Sequence, residues 1–289
     1  MVAAVLSLSA CGAGAGAPLP SPADPAALRV TSFNIHYLWR QSSAPMAHWE
    51  QRQDAVVSVL RQIDPDLVGF QEMETFAGAA YNPENRQMDT LAEAFPHYRF
   101  SATGDPARFP NTQPIMYHRG RLDPLGEGFF FFSPHPDTPY GDPWFGPYPA
   151  FATWARFGDL RSGETVLVFN VHIDRKRRRN RILSAELLAS RVNEVRRPSD
   201  RVVVLGDFNA LRWMRPVRIV ERTSGLRTVA DDGATFHFGR GIRLFPAIDH
   251  VLLGPRLTAD GVRAVRSRPG GVWPSDHFPI VADVRPVPR

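Results

Sequence analysis

Short apolar runs that end in polar side chains recur along this chain, and stretches with helical spacing separate them. Leu28 to Ile35 predicts a strand that ends in polar residues. From Trp49 the apolar positions fall at Val56, Leu60 and Ile63, with Gln53 as an imperfect member, which is the period of a helix. Asp64-Pro65-Asp66 stops that helix. Leu67 to Phe70 predicts a short buried strand running straight into Gln71-Glu72. Gln87 to Phe95 predicts a second helix and Ile115 to Tyr117 a further strand. Phe130 to Tyr148, rich in Pro, Gly and aromatics, predicts a long ordered loop of the kind that lines substrate sites. Two strands, Phe151 to Phe157 and Thr165 to Ile173, flank a turn at Gly163. A basic helix follows from about Arg179 to Val195, with Ile182, Leu187, Leu188 and Val192 on its core side. Val202 to Leu205 is an apolar strand that empties into Gly206-Asp207-Phe208-Asn209, and strands at Ile248 to Leu253, Val262 to Val265 and Pro279 to Val284 close the chain. Many strands with a few interspersed helices predict an α+β fold: two packed, mostly antiparallel sheets with helices outside, a four-layer αββα sandwich.

Residues 27–289 read as one folded domain. Residues 12–26 are, apart from Leu19 and Asp24, Gly, Ala, Pro and Ser with little to pack, and predict a flexible linker. Ahead of it, Leu8-Ser9-Ala10-Cys11 resembles the bacterial lipobox, in which the cysteine is lipidated. Residues 1–11 therefore read as a truncated lipoprotein-type signal segment, although no charged stretch precedes the apolar run. The alternative is an Ala-rich leader with an incidental cysteine. The first reading predicts an exported protein, periplasmic or on the cell surface, tethered through Cys11. Cys11 is the only cysteine, so an internal disulfide and a cysteine-based zinc site are both excluded.

A formal net charge of +5 favours anionic partners such as nucleic acid, phosphorylated small molecules or acidic lipid. Almost all of the positive charge is arginine, since Lys176 is the sole lysine, and a GC-rich genome would produce the same bias. The densest run, Arg175-Lys176-Arg177-Arg178-Arg179, reads either as a phosphate-tracking patch or as a solvated loop and helix start.

The chemistry lies at the strand ends. Asn34, Gln71-Glu72, Asn170-Val171-His172, Asp207-Phe208-Asn209, Asp249-His250 and Asp276-His277 each follow or flank an apolar run. One such end is ordinary turn chemistry. Six in one domain suggest that a sandwich gathers them at one rim, with hard oxygens for magnesium and histidines for a phosphate.

These segments, Ser-Phe-Asn-Ile-His, Gly-Phe-Gln-Glu-Met, Phe-Asn-Val-His, Gly-Asp-Phe-Asn, Ile-Asp-His-Val-Leu and Pro-Ser-Asp-His-Phe-Pro, are similar in order and content to the endonuclease/exonuclease/phosphatase superfamily, the deoxyribonuclease-I-like fold. The resemblance runs from about Leu28 to Val284. It implies that Glu72 is the main magnesium ligand, with Asn34 and Asp276 beside it and Mn2+ able to substitute. It implies that Asp207 orients or deprotonates the attacking water and that Asn209 holds a phosphate oxygen. His172 and His277 would flank the phosphorus, and Asp249 would orient His277. Asp174, Arg175, Arg156 and Trp144 are candidates for substrate contact, and Trp144, Phe145 and Tyr148 for stacking on a base or lipid. His36, His237 and His250 read as structural or rim residues. The resemblance implies in-line hydrolysis of a phosphodiester by a monomeric enzyme, with nucleic acid the leading substrate. Two alternatives are a phospholipid, sphingomyelin or small phosphorylated metabolite at the same site, and a binding module without activity. Exported relatives tend to carry Pro-Arg and Leu-Asp-His where this chain has Pro149-Ala150 and Ile173-Asp174-Arg175, which bears on substrate more than on catalysis.

Overall fold

The computed structural model describes residues 17–38, 46–73, 84–105, 109, 111–147 and 150–287. Cys11 with its leader, and Tyr148, lie outside the described residues. The first half of the chain forms β1 (Leu28–Asn34), α1 (Trp49–Ile63), β2 (Leu67–Gln71), α2 (Arg86–Ala94), β3 (Tyr98–Ser101), β4 (Ile115–His118) and β5 (Leu122–Phe131). The second half forms β6 (Phe151–Asp159), β7 (Thr165–His172), α3 (Arg178–Val195), β8 (Arg201–Asp207), α4 (Arg215–Ser224), β9 (Arg227–Thr228), β10 (Asp249–Leu253), β11 (Leu257–Thr258), β12 (Arg263–Ala264) and β13 (Ile280–Pro286).

One sheet runs β11-β13-β1-β2-β4-β3, with β12 also on β13, and the other runs β5-β6-β7-β8-β10-β9. Each contains one parallel pair joined through a helix, β1 with β2 through α1 and β7 with β8 through α3. An antiparallel strand flanks each pair, β13 beside β1 and β10 beside β8. The two sheets thus share a connectivity that no sequence repeat announces.

Period-two alternation separates the layers. Leu28 and Val30 of β1, Val166 and Val168 of β7, Val203 and Leu205 of β8, and Val251 and Leu253 of β10 meet between the sheets. The alternate residues face outward: Phe33, Val68 and Phe70 pack under α1 and α2, while Leu167, Phe169, Val202 and Val204 pack under α3 and α4. This is the αββα sandwich. Each fully buried Val, Leu or Phe is worth about 1.5–3 kcal/mol. A one-residue slip would turn a whole row of them to the wrong face, so register is strongly specified.

Several local expectations need correction. Residues 17–26 are docked, because the Leu19 N–H donates to the Gln62 carbonyl at 2.8 Å and Arg161 reaches the Pro25 carbonyl at 3.1 Å. Phe130 and Phe131 belong to β5, and the Phe132 N–H still pairs with the Ala150 carbonyl at 2.7 Å, so the long loop starts after it. The buried face of α3 is Asn180, Ser184, Ala185, Leu188, Ala189 and Val192; Ile182 and Leu187 are only half-buried. Helix α4 is absent from the sequence reading because Pro216 and the β-branched Val217, Ile219, Val220 and Thr223 lower its helix propensity. It forms by burying Val217 and Val220, and Gly225 ends it at φ +71°.

Candidate active site

The interior face of the sandwich changes character at one end. The alternation that turns Leu28 and Val30 inward continues to Ser32 and Asn34 in β1. In β7 it continues to Asn170 and His172, and in β8 to Asp207. β10 runs the other way and begins at Asp249. Register then aligns His172 with Asp207, and Asp207 with Asp249, in one row across three neighbouring strands.

Left-handed turns re-aim three further residues: φ is +67° at His36, +60° at Glu72 and +46° at Asn209. Such a conformation costs a non-glycine residue roughly 1–2 kcal/mol. Strict alternation would send the Glu72 side chain outward with Phe70. With the turn, Glu72 Oε1 lies 3.7 Å from His172 Nε2, and Oε2 accepts the Tyr37 N–H at 3.2 Å. One residue behind Glu72, Gln71 Nε2 donates to Asn170 Oδ1 at 2.6 Å, a fully buried amide pair that joins the two sheets.

Asp207 lies at the centre. Its Oδ2 is 3.7 Å from His172 Nε2 and 3.8 Å from His277 Nε2, and accepts from Asn34 Nδ2 at 3.3 Å. Its Oδ1 accepts the Asn209 N–H at 2.8 Å. Burial pushes the Asp207 carboxyl up to about 8, the nearby Asp249 adding to the effect and His277 opposing it. Burial acts against a charge on His277, yet Asp249, Asp207 and Asp276 together lift its imidazole to about 10. Burial likewise opposes ionisation of Asp276, but the hydrogen bond to His36 and the charge of His277 hold it well below the usual carboxylate range. A carboxylate with raised proton affinity beside a persistent imidazolium suits a base and an oxyanion donor.

Two donor sets face this cleft. Asp207, Asp249 and His277 can each place a ligand atom within 4.8 Å of the others. His277 Nδ1, however, is engaged by Asp249 Oδ2 at 2.9 Å. The second set surrounds His36, whose Nδ1 is 3.4 Å from Asp276 Oδ1 and 3.9 Å from Glu72 Oε2, and whose N–H donates to Asn34 Oδ1 at 3.2 Å. Two carboxylates and an amide oxygen fit a hard divalent cation that retains several waters. Of the two readings for His36, structural or rim, the buried position at the centre of this oxygen set excludes the rim, and its place two residues after Asn34 was the available signal.

The sequence profile of the endonuclease/exonuclease/phosphatase family matches residues 31–277, a span holding every residue of this cleft. The chain belongs to that family. Its members hydrolyse phosphoester bonds and typically depend on a divalent metal, and this chain is a phosphoester hydrolase. The fold is similar to that of a mannosyl-6-phosphatase from Bacteroides thetaiotaomicron VPI-5482, with TM-score 0.77 and 24% identity over 89% of this chain and 99% of that one. It is also similar to TDP2 from D. rerio complexed with a single-strand DNA product, with TM-score 0.67 and 17% identity over 90% and 99% of the two chains. In sequence, protein L388 of Acanthamoeba polyphaga mimivirus is 25% identical over 189 residues, 63% of this chain and 67% of the viral protein.

In this member of the family the remaining candidates separate. Asp249 and His277 meet Asp207 as described, and Asn209 Nδ2 donates to the Ile173 carbonyl at 2.9 Å. Arg156 is removed from the cleft: its side chain is buried against Asp200 at 3.0 Å and caps the Val195 carbonyl at the end of α3 at 2.7 Å. Its alternation places it on the helix side of β6, away from the inter-sheet face that leads to the cleft. Asp174 spends its oxygens on the turn into α3, accepting from Lys176 N–H at 2.6 Å, Arg177 N–H at 3.0 Å and Asn180 Nδ2 at 2.7 Å. Trp144 is half-buried against the α3 cluster. The basic run divides in the same way. Arg177 lies against Gly146, where a Cβ would come within 2.5 Å of its guanidinium, and Arg179 covers the Phe145 ring at 4.7 Å. Arg175, Lys176 and Arg178 are exposed, with no ion pair among the described residues.

The sequence reading overlooked an aromatic series beside His277. Phe236 packs 4.8 Å from His277, Phe238 packs 4.3 Å from Phe236, and Phe245 packs 5.5 Å from Phe238. Phe238 and Phe245 are exposed, as are Arg240 and Arg243 between them. Meanwhile His237 turns inward onto Phe278, and burial pushes it down to about 4. His250 Nε2 pairs with the Ala210 carbonyl at 2.8 Å. Both act as neutral supports.

Proposed function

We propose that this chain is a magnesium-dependent phosphodiesterase acting on nucleic acid, with single strands the preferred form. The observation that carries this reading is the series leading away from His277 through half-buried Phe236 to exposed Phe238 and Phe245, with exposed Arg240 and Arg243 between the last two. Exposed aromatic faces beside cations suit bases and phosphates of an unpaired strand, each stacked base contributing about 1–3 kcal/mol. Arg175, Lys176 and Arg178 supply further phosphate contacts beyond the cleft.

Glu72, Asp276 and Asn34 would hold the metal, which supplies Lewis-acid polarisation of the phosphate. Asp207 takes a proton from the attacking water, and Asn34 and Asn209 fix the carboxylate through its two oxygens. His277, held cationic by Asp249, and His172 donate to non-bridging oxygens as charge accumulates there. Attack proceeds in line with the leaving oxygen.

A second reading, a small phosphorylated metabolite, rests on the fold shared with the mannosyl-6-phosphatase. Export with a lipid at Cys11 is also proposed. The docked segment at Leu19 meets Gln62, at the end of α1 remote from the cleft. A tether there would face the cleft away from its own bilayer, which favours a soluble polyanion over a bilayer lipid.

The test is hydrolysis by the purified protein with Mg2+ of single- and double-stranded DNA, RNA, sphingomyelin, sugar phosphates and a small chromogenic phosphodiester, with Asp207→Ala as the inactive control. Faster turnover of single strands, with KM raised by Phe238→Ala only for the oligonucleotide, supports the reading. Turnover confined to sugar phosphates moves the assignment to the second, and silence across the panel leaves a binding module.

A further inference from the structure

Arg52 is fully buried in α1 and makes no hydrogen bond to a cleft side chain among the described residues. Among the described residues it has no ion-pair partner. Its guanidinium spends its hydrogen bonds on backbone carbonyls: Nη1 donates to Ile35 at 2.6 Å and to Pro274 at 2.8 Å, and Nη2 donates to His36 at 2.7 Å. Burying a cation on neutral acceptors is costly, so a local gain must offset it.

The gain lies in what those carbonyls connect. Ile35 and His36 are the residues by which the chain leaves β1 after Asn34. Pro274 leads into Ser275, Asp276 and His277. Ser275 Oγ donates to the Asn34 carbonyl at 2.6 Å, and Gln87 Nε2 adds a second donor to the His36 carbonyl at 3.0 Å. Three successive carbonyls, 34 to 36, are thus held by side chains from three other segments. With them is held the left-handed turn that sets the His36 imidazole between Glu72 and Asp276.

We propose that Arg52 is a positioning residue for the divalent cation: by locking the β1 exit to the segment before β13, it spaces the oxygens of Asn34, Glu72 and Asp276 to receive the ion. This rests on the metal site proposed above. Its single positive charge, behind two carboxylates and out of their reach, balances them without occupying the position of the ion.

The experiment is titration of the full chain with Mn2+, followed by electron paramagnetic resonance of the free ion, together with thermal melting. Arg52→Lys and Arg52→Met are compared with Gln87→Leu, which removes one donor to the same turn. Arg121→Lys is the control, altering an equally buried arginine that pairs with Asp159 at 3.2 Å at the remote end. Removing groups that orient ligands typically lowers metal affinity by about 10–100-fold. That loss is expected for Arg52→Met, with partial recovery in Arg52→Lys and a smaller loss in Gln87→Leu. Arg121→Lys should lower the melting temperature and leave Mn2+ affinity unchanged. Unchanged affinity in folded Arg52→Lys overturns the inference, and if neither Arg52 variant folds, unchanged affinity in Gln87→Leu does so. Wild-type protein that binds no Mn2+ removes the metal site itself and the inference with it.

Discussion

His277 and Asp249 form a buried pair, Nδ1 to Oδ2 at 2.9 Å, although they reach the cleft on segments from opposite sheets. Asp249 therefore directs the other ring nitrogen, Nε2, toward Asp207 at 3.8 Å and holds the imidazole charged. One carboxylate sets the tautomer, the orientation and the charge of the histidine.

Asp249→Asn should lower kcat by about 100-fold or more, the scale seen when such an orienting carboxylate is lost. It should also move both limbs of the pH profile downward, because the Asp249 charge raises the proton affinity of Asp207 and His277 alike. Limbs that stay in place while kcat falls would show that Asp249 acts through geometry alone.

In the wild type, kcat/KM should rise as Asp207 loses its proton and fall as His277 loses its own. Those limbs lie near the values of about 8 and about 10 to which the site pushes the two groups. Activity should thus disappear as pH falls below the first and again as it rises above the second, and the limbs belong to the coupled group. A bound divalent cation favours the Asp207 carboxylate, so rising Mg2+ should shift the acid limb to lower pH. An acid limb indifferent to metal concentration would contradict this.

Arg156→Met should cost about 3–5 kcal/mol, since it strands the buried Asp200 carboxylate without its partner. Turnover per folded molecule should not change. Chemical denaturation and kinetics on the same preparation separate the two effects, and a KM change would return Arg156 to the substrate site.

Gly206→Ala should be far more damaging than Gly225→Ala. At Gly206, with φ +141°, a Cβ would come 2.0 Å from the Val171 carbonyl oxygen, whereas nothing lies within 4 Å of one at Gly225. Forcing β7 and β8 apart should cost at least ~3 kcal/mol and separate Asp207 from His172. The Gly225 variant should lose only ~1–2 kcal/mol, for its left-handed backbone. Melting curves of the two variants decide.

Neutralising Arg175, Lys176 and Arg178 together should raise KM for single-stranded DNA and flatten its salt dependence. The logarithmic slope should fall by about 0.7 for each phosphate that is no longer neutralised. A small phosphodiester should be unaffected. Equal effects on both substrates would place the run in the fold and not in the substrate path.

Much of this cleft could be read before any coordinates. Asn34, His172, Asp207 and Asp249 stand on the ends of apolar strands, and alternation alone assigns them to the face that carries Val30, Val168, Leu205 and Val251. Glu72 was legible by resemblance, whereas alternation points its side chain the wrong way. Arg156 stood among the candidates for substrate contact, whereas its parity along β6 turns it toward α3.

What the sequence determined by itself is local and periodic: which residues share a face, where the strands stop, and which chemistry waits at their ends. The tertiary structure decided the rest. Packing of two sheets chose which strand ends meet, and side chains distant in sequence, such as Arg52 on Pro274, support the left-handed turn at His36. Period-two alternation is a property of a few neighbouring residues. A strained turn persists only where contacts from elsewhere in the chain outweigh its cost, and no local pattern encodes those contacts.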